Sequence, residues 1–318
     1  MIRTAVIGAG AFGRNHVRTV RENPRAELRF VVDSNLARAQ QQIAGSTAIA
    51  TASLNDVIGH IDAAIVAVPT SSHCDIGCTL LEAGIDVLME KPLAPTLAEA
   101  DRLVVAAASK NRILQCGHLE RFNPAIIAIE KLATLPLFFE IHRMSIFTPR
   151  ALDVDVVLDL MVHDLDIVLA LAKGELKDIR AAGICILSPK TDIANVRLEF
   201  SDGCIANLTA SRVSTEKVRK LRLFQPHQYI SADYARQAVA VFTVGGPQGI
   251  AFDQLPIENA EPLKLQFNAF LDSVQTRQKP KLDGVQARRT LEVALAVIAR
   301  IEEHAGVVSQ TLASGWKP

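Results

Sequence analysis

Three glycines near the start of the chain have the spacing of a phosphate-binding loop. Gly8, Gly10 and Gly13 follow a short apolar run and open a segment with a helical pattern. The first glycine of such a loop permits a tight turn, the second lets a pyrophosphate approach the backbone, and the third lets the helix pack closely on the strand. Because the helix N-terminus also offers unpaired N–H groups to phosphate, the loop predicts a dinucleotide site that includes Ala11 and Phe12.

An acidic residue, Asp33, ends the second apolar run, about 20 residues after Gly13. A carboxylate at this position accepts hydrogen bonds from the hydroxyls of an adenosine ribose and repels a 2′-phosphate. Ser34 and Asn35 carry no positive charge, although Arg38 stands about one helical turn further on. We therefore expect NAD as the cofactor, with NADP as the less favoured alternative.

Two later apolar runs end in polar residues that we expect beside the same cofactor, because ligands bind at the carboxyl ends of the strands in a parallel sheet. A lysine in this place, Lys91, can hydrogen-bond a reacting hydroxyl or stabilise developing negative charge. Taken alone, Lys91 could equally be a surface lysine, and His73 could simply begin a helix. The residues that these runs contribute to the predicted cofactor site are Val68, Pro69, Thr70, His73, Glu90 and Lys91.

Asp159 and His163 stand four residues apart in a helix-like segment, 156–171, and this spacing puts both side chains on one helix face. A carboxylate near a histidine orients the imidazole and stabilises its charged form, which suits general-base removal of a hydroxyl proton. The same segment places Asp164 and Asp166 in apolar company, where polar groups need hydrogen-bond partners. Because no second histidine stands at a matching spacing, we expect no metal site.

In the first 120 residues, short and continuously apolar runs alternate with helix-like segments. Such strands are typical of a parallel sheet whose two faces are covered by helices. The pattern predicts a doubly wound α/β domain of the Rossmann type, which we place at residues 1–120. The predicted strands are 4–7, 28–32, 63–68, 86–89 and 112–116, and the helices are 11–21, 36–43, 74–83 and 97–108.

Beyond residue 120 the apolar pattern alternates with a period of two, which is typical of antiparallel strands with one face on a core. We predict an α+β domain at residues 121–318 with a large, mostly antiparallel, open-faced sheet. Two helical segments, 263–277 and 285–304, close the chain, and whether they pack on the first domain stays open. The predicted strands are 138–146, 179–186, 194–200, 204–211, 220–224, 228–231 and 238–243.

The composition argues against several classes of protein. The chain has 318 residues, with 34 Lys and Arg against 34 Asp and Glu, and only one Trp and two Tyr. It therefore lacks the positive field and the stacking platforms of a nucleic-acid-binding protein. It has no apolar run of about 18 residues that would span a membrane. Its five cysteines are odd in number and form no C-x-x-C pair, which argues against a disulfide framework or a zinc ribbon. We expect a cytoplasmic protein.

In their order along the chain, the glycine loop, the strand-end acid, the Glu-Lys-Pro segment and the Asp-x-x-x-His pair resemble the Gfo/Idh/MocA family of NAD(P)-dependent sugar and polyol dehydrogenases. The resemblance covers nearly the whole chain, including 280–284 and the final helix. It implies that Lys91, Asp159 and His163 line the active site, with His163 as the base and Lys91 in contact with the reacting hydroxyl. It also implies that the open sheet face is buried in a homodimer or homotetramer.

Within the family, residues 117–125, 142–143 and 155–166 resemble the nucleotide-sugar 3-dehydrogenases that oxidise UDP-N-acetylglucosamine at C3. Those enzymes precede an aminotransferase that builds a 2,3-diamino sugar for lipid A. The resemblance implies a nucleotide-sugar substrate whose diphosphate is contacted by cations. The substrate-binding residues predicted in this way are Glu120, Arg121, Asn123, Arg143, Arg150, Asp159 and His163.

Three alternatives stay open at this point. The substrate could be the uronic-acid form of the nucleotide sugar, or it could be an unactivated sugar or an inositol. The chain could also be a redox-silent NAD-binding ligand sensor, although the intact catalytic set argues against a sensor, which needs no proton acceptor. For Glu120, Arg121 and Asn123 the alternative roles are helix capping and an ion pair between domains.

Overall fold

The apolar runs of the first 120 residues pair into one parallel sheet. Its strands are β1 Ile2–Ile7, β2 Ala26–Val32, β3 Ile49–Thr51, β4 Ala63–Val66, β5 Asp86–Glu90 and β6 Leu114–Gly117. The structure, a computed structural model, describes residues 1–148, 154–245 and 249–313, and within them this sheet has the order β3-β2-β1-β4-β5-β6 with parallel pairing. This order confirms the Rossmann fold, and it reverses between β1 and β4, where such sheets bind ligands.

Helices follow the strands as the sequence predicts. They are α1 Ala11–Arg21, α2 Leu36–Ile43, α3 His73–Glu82 and α4 Leu97–Ser109. The Asn35 side chain caps α2, and Thr96 caps α4 by accepting from the N–H of Glu99, as short polar residues do at helix starts. Strand β3 was not predicted, because three residues at the sheet edge with a single buried side chain carry too little pattern.

The second sheet is antiparallel except at its centre. Its strands are β7 Phe138–Ile146, β8 Leu176–Ile184, β9 Ile193–Phe200, β10 Ile205–Ser214, β11 Val218–Gln225, β12 Gln228–Asp233, β13 Ala238–Val244 and β14 Ile250–Gln254. In the described residues their order is β14-β13-β12-β11-β7-β10-β9-β8, and β7 pairs with β10 in parallel. The predicted large, mostly antiparallel sheet is thus confirmed. Strand β14 was not predicted, because all five of its residues are exposed and show no alternation.

One face of this sheet is buried and the other is open. The buried face packs under α5 Pro124–Leu132 and α6 Val162–Leu171, with Val196, Leu198 and Phe200 of β9 in the core. The opposite face carries a row of aromatic rings across five strands, with successive ring centroids 6.0, 4.8, 5.3 and 4.8 Å apart. This aromatic row consists of Phe138, Phe224, Tyr229, Phe242 and Phe252.

The chain divides into two compact units. Unit 1 comprises Met1–Phe122 and Glu261–Leu291, and unit 2 comprises Asn123–Ala260 and the residues from Glu292 onward. Helix α7, Pro262–Thr276, belongs to unit 1, and its buried aromatic and leucine side chains join the core beside β1 and α1. Helix α8, Gly284–Ala313, begins in unit 1 and continues into unit 2. The sequence analysis places the domain boundary at residue 120 and leaves open where the last two helices pack. In the structure the first unit ends at Phe122, and residues 261–291 belong to it as well.

Candidate active site

The glycine loop has the shape that a bound pyrophosphate requires. Gly8 has a φ of +100°, and a Cβ at Gly13 would lie 1.8 Å from the Gly8 carbonyl oxygen, so neither position accepts a side chain. A Cβ at Gly10, in contrast, would meet no heavy atom of the described residues within 4 Å. Gly10 precedes α1, and no side chain in the described part of the chain caps this helix end. The first N–H groups of α1 are therefore available to phosphate oxygens.

A cavity of about 630 Å³ begins at this loop and lies at the ends of β1, β2 and β4. Of the predicted cofactor residues, Gly8, Gly10, Asp33, Val68 and Pro69 line it. Ala11, Phe12 and Gly13 form the first turn of α1 beside it, and Thr70 opens a short 3₁₀ turn, Thr70–Ser72. The glycine cradle and the cavity at the reversal of strand order together fit a dinucleotide.

Asp33 holds the cavity end of β2 in place with both carboxylate oxygens. Oδ2 accepts from the N–H of Ala9 at 2.8 Å, and Oδ1 accepts from the N–H of Asn35 at 2.8 Å. The first bond ties the carboxylate to the glycine loop. Each oxygen keeps a further lone pair, so the same carboxylate can accept from ribose hydroxyls. Arg38 lines the same cavity.

His73 lies between the loop that follows β4 and the segment that follows β5. It is buried, with Nδ1 2.9 Å from the carbonyl oxygen of Pro92 and Nε2 3.1 Å from that of Val68. Burial lowers the pKa of His73, while the neighbouring carbonyl oxygens raise it. The imidazole is therefore neutral near pH 7 and donates one proton. His73 therefore begins α3, which is one of the two roles predicted for it. Its ring also bridges the loop after β4 and the segment after β5.

Glu90 is the last residue of β5, and Lys91 follows it. Strand β5 pairs with β4, one of the strands whose ends border the cavity. The Glu90 carboxylate is buried, with Oε1 2.6 Å from Nε2 of His16 and Oε2 accepting from the N–H of Lys91 at 3.3 Å. Lys91 is half-buried and joined to Pro92 by a cis peptide bond. His16 was not singled out from the sequence. The sequence signal that could have found it is a polar residue on the face of α1 that Gly13 and Val17 predict to be buried.

The predicted pocket residues at 120–123 lie where the chain leaves unit 1. Glu120 and Arg121 are buried in the 3₁₀ turn Leu119–Phe122, and the Arg121 carbonyl accepts from Nζ of Lys281 at 2.8 Å. Asn123, in unit 2, caps α5 by accepting from the N–H of Ala125 at 3.0 Å, and its amide donates to the Tyr234 carbonyl at 3.1 Å. Helix capping, the alternative role, is therefore present at Asn123.

Asp159 and His163 stand on a helix whose start differs from the prediction. Residues Val157–Met161 form a π-helical turn, in which the N–H of Val162 donates to the Val157 carbonyl, and only then does α6 begin. The start of this helix therefore differs from the regular α-helix that the spacing predicts, and the pairing of the two side chains stays a prediction. The single predicted helix 156–171 is thus corrected to a π turn followed by α6. Both side chains are half-buried.

A buried ion pair directly follows His163. Nε and one terminal nitrogen of Arg143 donate to the two carboxylate oxygens of Asp164 at 2.7 and 2.9 Å, and both side chains are about 2–3% exposed. The guanidinium also lies 5.7 Å from the ring centroid of Tyr234. The role predicted for Arg143 in substrate binding stays a prediction beside this observed one. Arg150, the other predicted cation, lies outside the described residues.

The predicted catalytic residues are divided between the units, with Lys91 in unit 1 and both Asp159 and His163 in unit 2. Across residues 1–148, 154–245 and 249–313, no group of three or more His, Cys, Asp or Glu side chains is arranged to hold a metal ion. Within the same residues, no helix has both the length and the apolar character to cross a membrane. All five cysteines fall in the described part and are free thiols.

Two family models match the chain. The model described as the oxidoreductase family, NAD-binding Rossmann fold, matches residues 2–118. The model described as the GFO/IDH/MocA C-terminal domain matches residues 137–226. The first match covers the strands and loops that form the dinucleotide cavity of unit 1.

Curated proteins and solved structures match over most of the chain. UDP-N-acetylglucosamine 3-dehydrogenase of Acidithiobacillus ferrooxidans is 33% identical over 307 residues, which are 95% of this chain and 97% of that protein. Inositol 2-dehydrogenase 1 of Saccharopolyspora erythraea is 26% identical over 297 residues, 86% of each chain. A solved structure of the A. ferrooxidans enzyme has a TM-score of 0.91 at 32% identity and covers 95% of this chain and 98% of its own. With one third of its residues identical to a family member over nearly its full length, the chain belongs to the Gfo/Idh/MocA oxidoreductases and carries their NAD-binding Rossmann fold in unit 1.

Proposed function

We propose that the chain is a sugar dehydrogenase that oxidises the C3 hydroxyl of a UDP-N-acetylglucosamine-type nucleotide sugar to a ketone. The observation that carries this proposal is the 33% identity, over 95% of the chain, to a UDP-N-acetylglucosamine 3-dehydrogenase. The match extends through both units, so it includes the residues proposed to bind the sugar as well as those proposed to bind the cofactor. The glycine cradle and the cavity of unit 1 support a dinucleotide as the hydride acceptor.

NAD is the proposed cofactor, because a carboxylate stands where the adenosine ribose is expected. Asp33 is held toward the glycine loop by two backbone N–H groups. A fixed negative charge there favours ribose hydroxyls as donors and repels a 2′-phosphate. Arg38 lines the same cavity, and it is the residue through which NADP would be accommodated. We therefore expect a preference for NAD rather than complete exclusion of NADP.

The proposed chemistry needs one proton acceptor and one donor at the reacting oxygen. His163 accepts the proton of the C3 hydroxyl, and Asp159 orients the imidazole and stabilises its charged form. Lys91 donates a hydrogen bond to the same oxygen as it becomes a carbonyl. The bound nicotinamide supplies the acceptor for the hydride that leaves C3 with the electron pair of the C–H bond. The products are a 3-keto sugar, the reduced cofactor and one proton, which His163 returns to solvent.

The proposed sugar pocket combines Glu120, Arg121, Asn123 and the cations Arg143 and Arg150 with the catalytic residues. Arg121 is buried and its backbone carbonyl accepts from Lys281, and a guanidinium is suited to binding a diphosphate. Two nitrogens of Arg143 already bind Asp164.

Dehydrogenation of an inositol is the second candidate, since an inositol 2-dehydrogenase is 26% identical over 86% of the chain. The two candidates differ in the diphosphate. A nucleotide sugar needs cations in the pocket, whereas an inositol needs only hydroxyl-binding groups. Competition by UDP therefore separates them. The uronic-acid form shares the diphosphate, so it is distinguished by comparing the two nucleotide sugars directly as substrates.

We propose a homodimer or homotetramer in which a second copy covers the open sheet face of unit 2. The aromatic row crosses that face, and Phe224 and Phe252 are 39% and 58% exposed. A contiguous row of partly exposed rings marks a surface that association would remove from water. This proposal predicts that the copies meet along β11 to β14.

A 3-keto sugar is a substrate for amine transfer, and alcohol oxidation by NAD is usually unfavourable at equilibrium. We therefore propose that an aminotransferase consumes the product in the cytoplasm, on a route to a 2,3-diamino sugar such as that of lipid A. The enzyme and that aminotransferase together should move the equilibrium toward product.

NADH formation by the purified chain tests the function. UDP-N-acetylglucosamine, its uronic acid, free N-acetylglucosamine and myo-inositol are each offered with NAD and, separately, with NADP. We expect the first substrate with NAD to react fastest and UDP to compete with it. Reaction of inositol alone, without UDP competition, would favour the second candidate, and tight NAD binding without any turnover would favour the ligand sensor.

A further inference from the structure

Lys91 follows the last residue of β5, so the hydrogen bonds of the sheet end just before it. Glu90 is the last residue of the strand and pairs with Gly117 of β6. The position of Lys91 therefore depends on what holds its two neighbours in the chain. Each neighbour is contacted by a different buried histidine.

His16 holds the residue before Lys91. Its Nε2 lies 2.6 Å from Oε1 of Glu90, and the side chain is fully buried. Nδ1 of His16 is buried and has no hydrogen-bond partner in the described residues, so the ring proton belongs on Nε2, where it is donated to the carboxylate. The other carboxylate oxygen accepts from the N–H of Lys91 at 3.3 Å.

The Glu90 carboxylate has little room to move. A Cβ at Gly117 would lie 3.0 Å from Oε2 of Glu90, so the carboxylate packs against a position where only glycine leaves space for it. Held by an imidazole on one side and by glycine backbone on another, it forms a fixed acceptor for the backbone N–H of Lys91.

His73 holds the residue after Lys91. Its Nδ1 lies 2.9 Å from the Pro92 carbonyl oxygen and its Nε2 lies 3.1 Å from the Val68 carbonyl oxygen. A neutral imidazole has one N–H to donate, and the shorter contact points to Pro92 as its acceptor. Val68 lines the dinucleotide cavity, so the ring joins the segment after β5 to a wall of that cavity.

On the basis of the dehydrogenase function proposed above, we propose that His16 and His73 are positioning residues for Lys91. Both belong to the elements that form the cofactor cavity: His16 is on α1, which begins at the glycine loop, and His73 begins α3 after the loop that follows β4. The position of the lysine is thus coupled to the elements that hold the dinucleotide. Neither histidine touches the reacting atoms in this scheme.

The first test uses variants of His16. His16→Leu removes the donor to Glu90, whereas His16→Gln places an amide N–H near the position of Nε2. We expect His16→Leu to lower kcat between about tenfold and a hundredfold, because misplacing a catalytic group by about 1 Å has effects of this size. NAD affinity should change by less than about twofold, since the glycine loop is intact. His16→Gln should restore most of kcat.

The matched control is Thr19→Val, on the same helix. Thr19 is buried and its hydroxyl donates to the Asn15 carbonyl, within α1. This variant perturbs the interior of α1 without touching Glu90. It should keep kcat while showing a loss of thermal stability comparable with that of His16→Gln.

The second test separates the two contacts of His73. An Asn side chain can replace Nδ1 and keep the bond to Pro92, whereas a Gln side chain can replace Nε2 and keep the bond to Val68. We expect the kcat of His73→Gln to be about tenfold or more below that of His73→Asn. A purely structural histidine would give both variants the same kcat. Equal kcat values in the two variants would therefore overturn the assignment at His73.

A readout without substrate keeps this inference apart from the proposed function. Trace acetylation with acetic anhydride, read by mass spectrometry, reports the reactivity of Lys91 relative to the exposed Lys110. We expect the relative reactivity of Lys91 to change in His16→Leu and His73→Gln and to match wild type in Thr19→Val. If wild type forms no NADH with any sugar while these reactivity changes occur, the function fails and the positioning stands. Wild-type reactivity and kcat in His16→Leu would overturn the positioning and leave the function.

Discussion

A buried carboxylate neighbours each of the two residues proposed to meet at the reacting hydroxyl, and the two carboxylates are held by different partners. In unit 1, Glu90 precedes the lysine and is contacted by the imidazole of His16 at 2.6 Å. In unit 2, Asp164 follows the histidine and receives two bonds from the guanidinium of Arg143, at 2.7 and 2.9 Å. The first carboxylate is contacted by one imidazole nitrogen, and the second forms a two-bond ion pair with a guanidinium.

The difference reflects what each backbone already supplies. Lys91 lies just beyond the end of a strand, so its N–H is bonded by the Glu90 side chain instead of by a neighbouring strand. His163 lies inside α6, where the helix itself bonds the backbone. The pair of Asp164 with Arg143 of β7 anchors α6 on the sheet. The end of a strand needs a local contact that holds its backbone, which we call a local tether. A helix instead needs a contact that fixes its rotation on the sheet, which we call an anchor.

The largest expected effect comes from the catalytic residues themselves. Lys91→Ala and His163→Ala should each lower kcat by between about a hundredfold and ten-thousandfold, because each removes a group that acts at the reacting oxygen. NAD affinity should be retained, as titration calorimetry would measure. Lys110→Ala, at an exposed lysine, is the control and should leave kcat unchanged. Near-normal rates in both active-site variants would contradict the assignment of the site.

The second largest effect is expected at the Arg143–Asp164 ion pair of unit 2, on the stability of the fold. Arg143→Met leaves the Asp164 carboxylate buried without its cation, and we expect the free energy of unfolding to fall by about 3 kcal/mol. Urea unfolding followed by circular dichroism measures this loss. Arg143→Met combined with Asp164→Leu should recover part of it, since no charge then stays buried. A double variant as unstable as the sum of the singles would argue against the pair as an anchor.

A third carboxylate, Asp33 of unit 1, extends the comparison, because the backbone N–H groups of Ala9 and Asn35 hold it. Asp33→Asn removes the negative charge and exchanges an acceptor for a donor. We expect NAD affinity to fall about tenfold and the preference for NAD over NADP to narrow by a similar factor. Dissociation constants for both cofactors measure the change. An unaltered ratio of the NAD and NADP dissociation constants would show that Asp33 does not determine the cofactor preference.

The smallest effect is expected at the His16–Glu90 pair, and it sharpens the contrast with the Arg143–Asp164 ion pair. His16→Leu should lower the free energy of unfolding by only about 1 kcal/mol, because the Glu90 carboxylate keeps its bond from the Lys91 N–H. The same urea experiment compares it with Arg143→Met. If His16→Leu were the more destabilising variant, the distinction between a local tether and an anchor would not hold.

The parts of the site that follow local rules are predictable from the sequence. The glycine loop must adopt one shape because Gly8 and Gly13 admit no Cβ, and Asp33 and Lys91 stand at strand ends that the apolar runs locate. The doubly wound order follows from alternation of such runs with helices. These predictions need only neighbours in the chain.

The parts that depend on distant residues were not predictable in this way. The π turn Val157–Met161 precedes α6, although the spacing alone indicates a regular α-helix. The bond from His16 to Glu90 joins residues 74 positions apart. The pairing of Arg143 with Asp164 depends on which strand of the sheet lies under α6, which no local pattern specifies.

Transfer of a label from C3 tests the central claim most directly. UDP-N-acetylglucosamine carrying deuterium at C3 is incubated with NAD and the purified chain, and the reduced cofactor is analysed by mass spectrometry. Oxidation at C3 predicts reduced cofactor that carries one deuterium, formed more slowly than with unlabelled sugar if hydride transfer limits the rate. Reduced cofactor without deuterium would show oxidation at another carbon, and the absence of any reduced cofactor would contradict the proposed function itself.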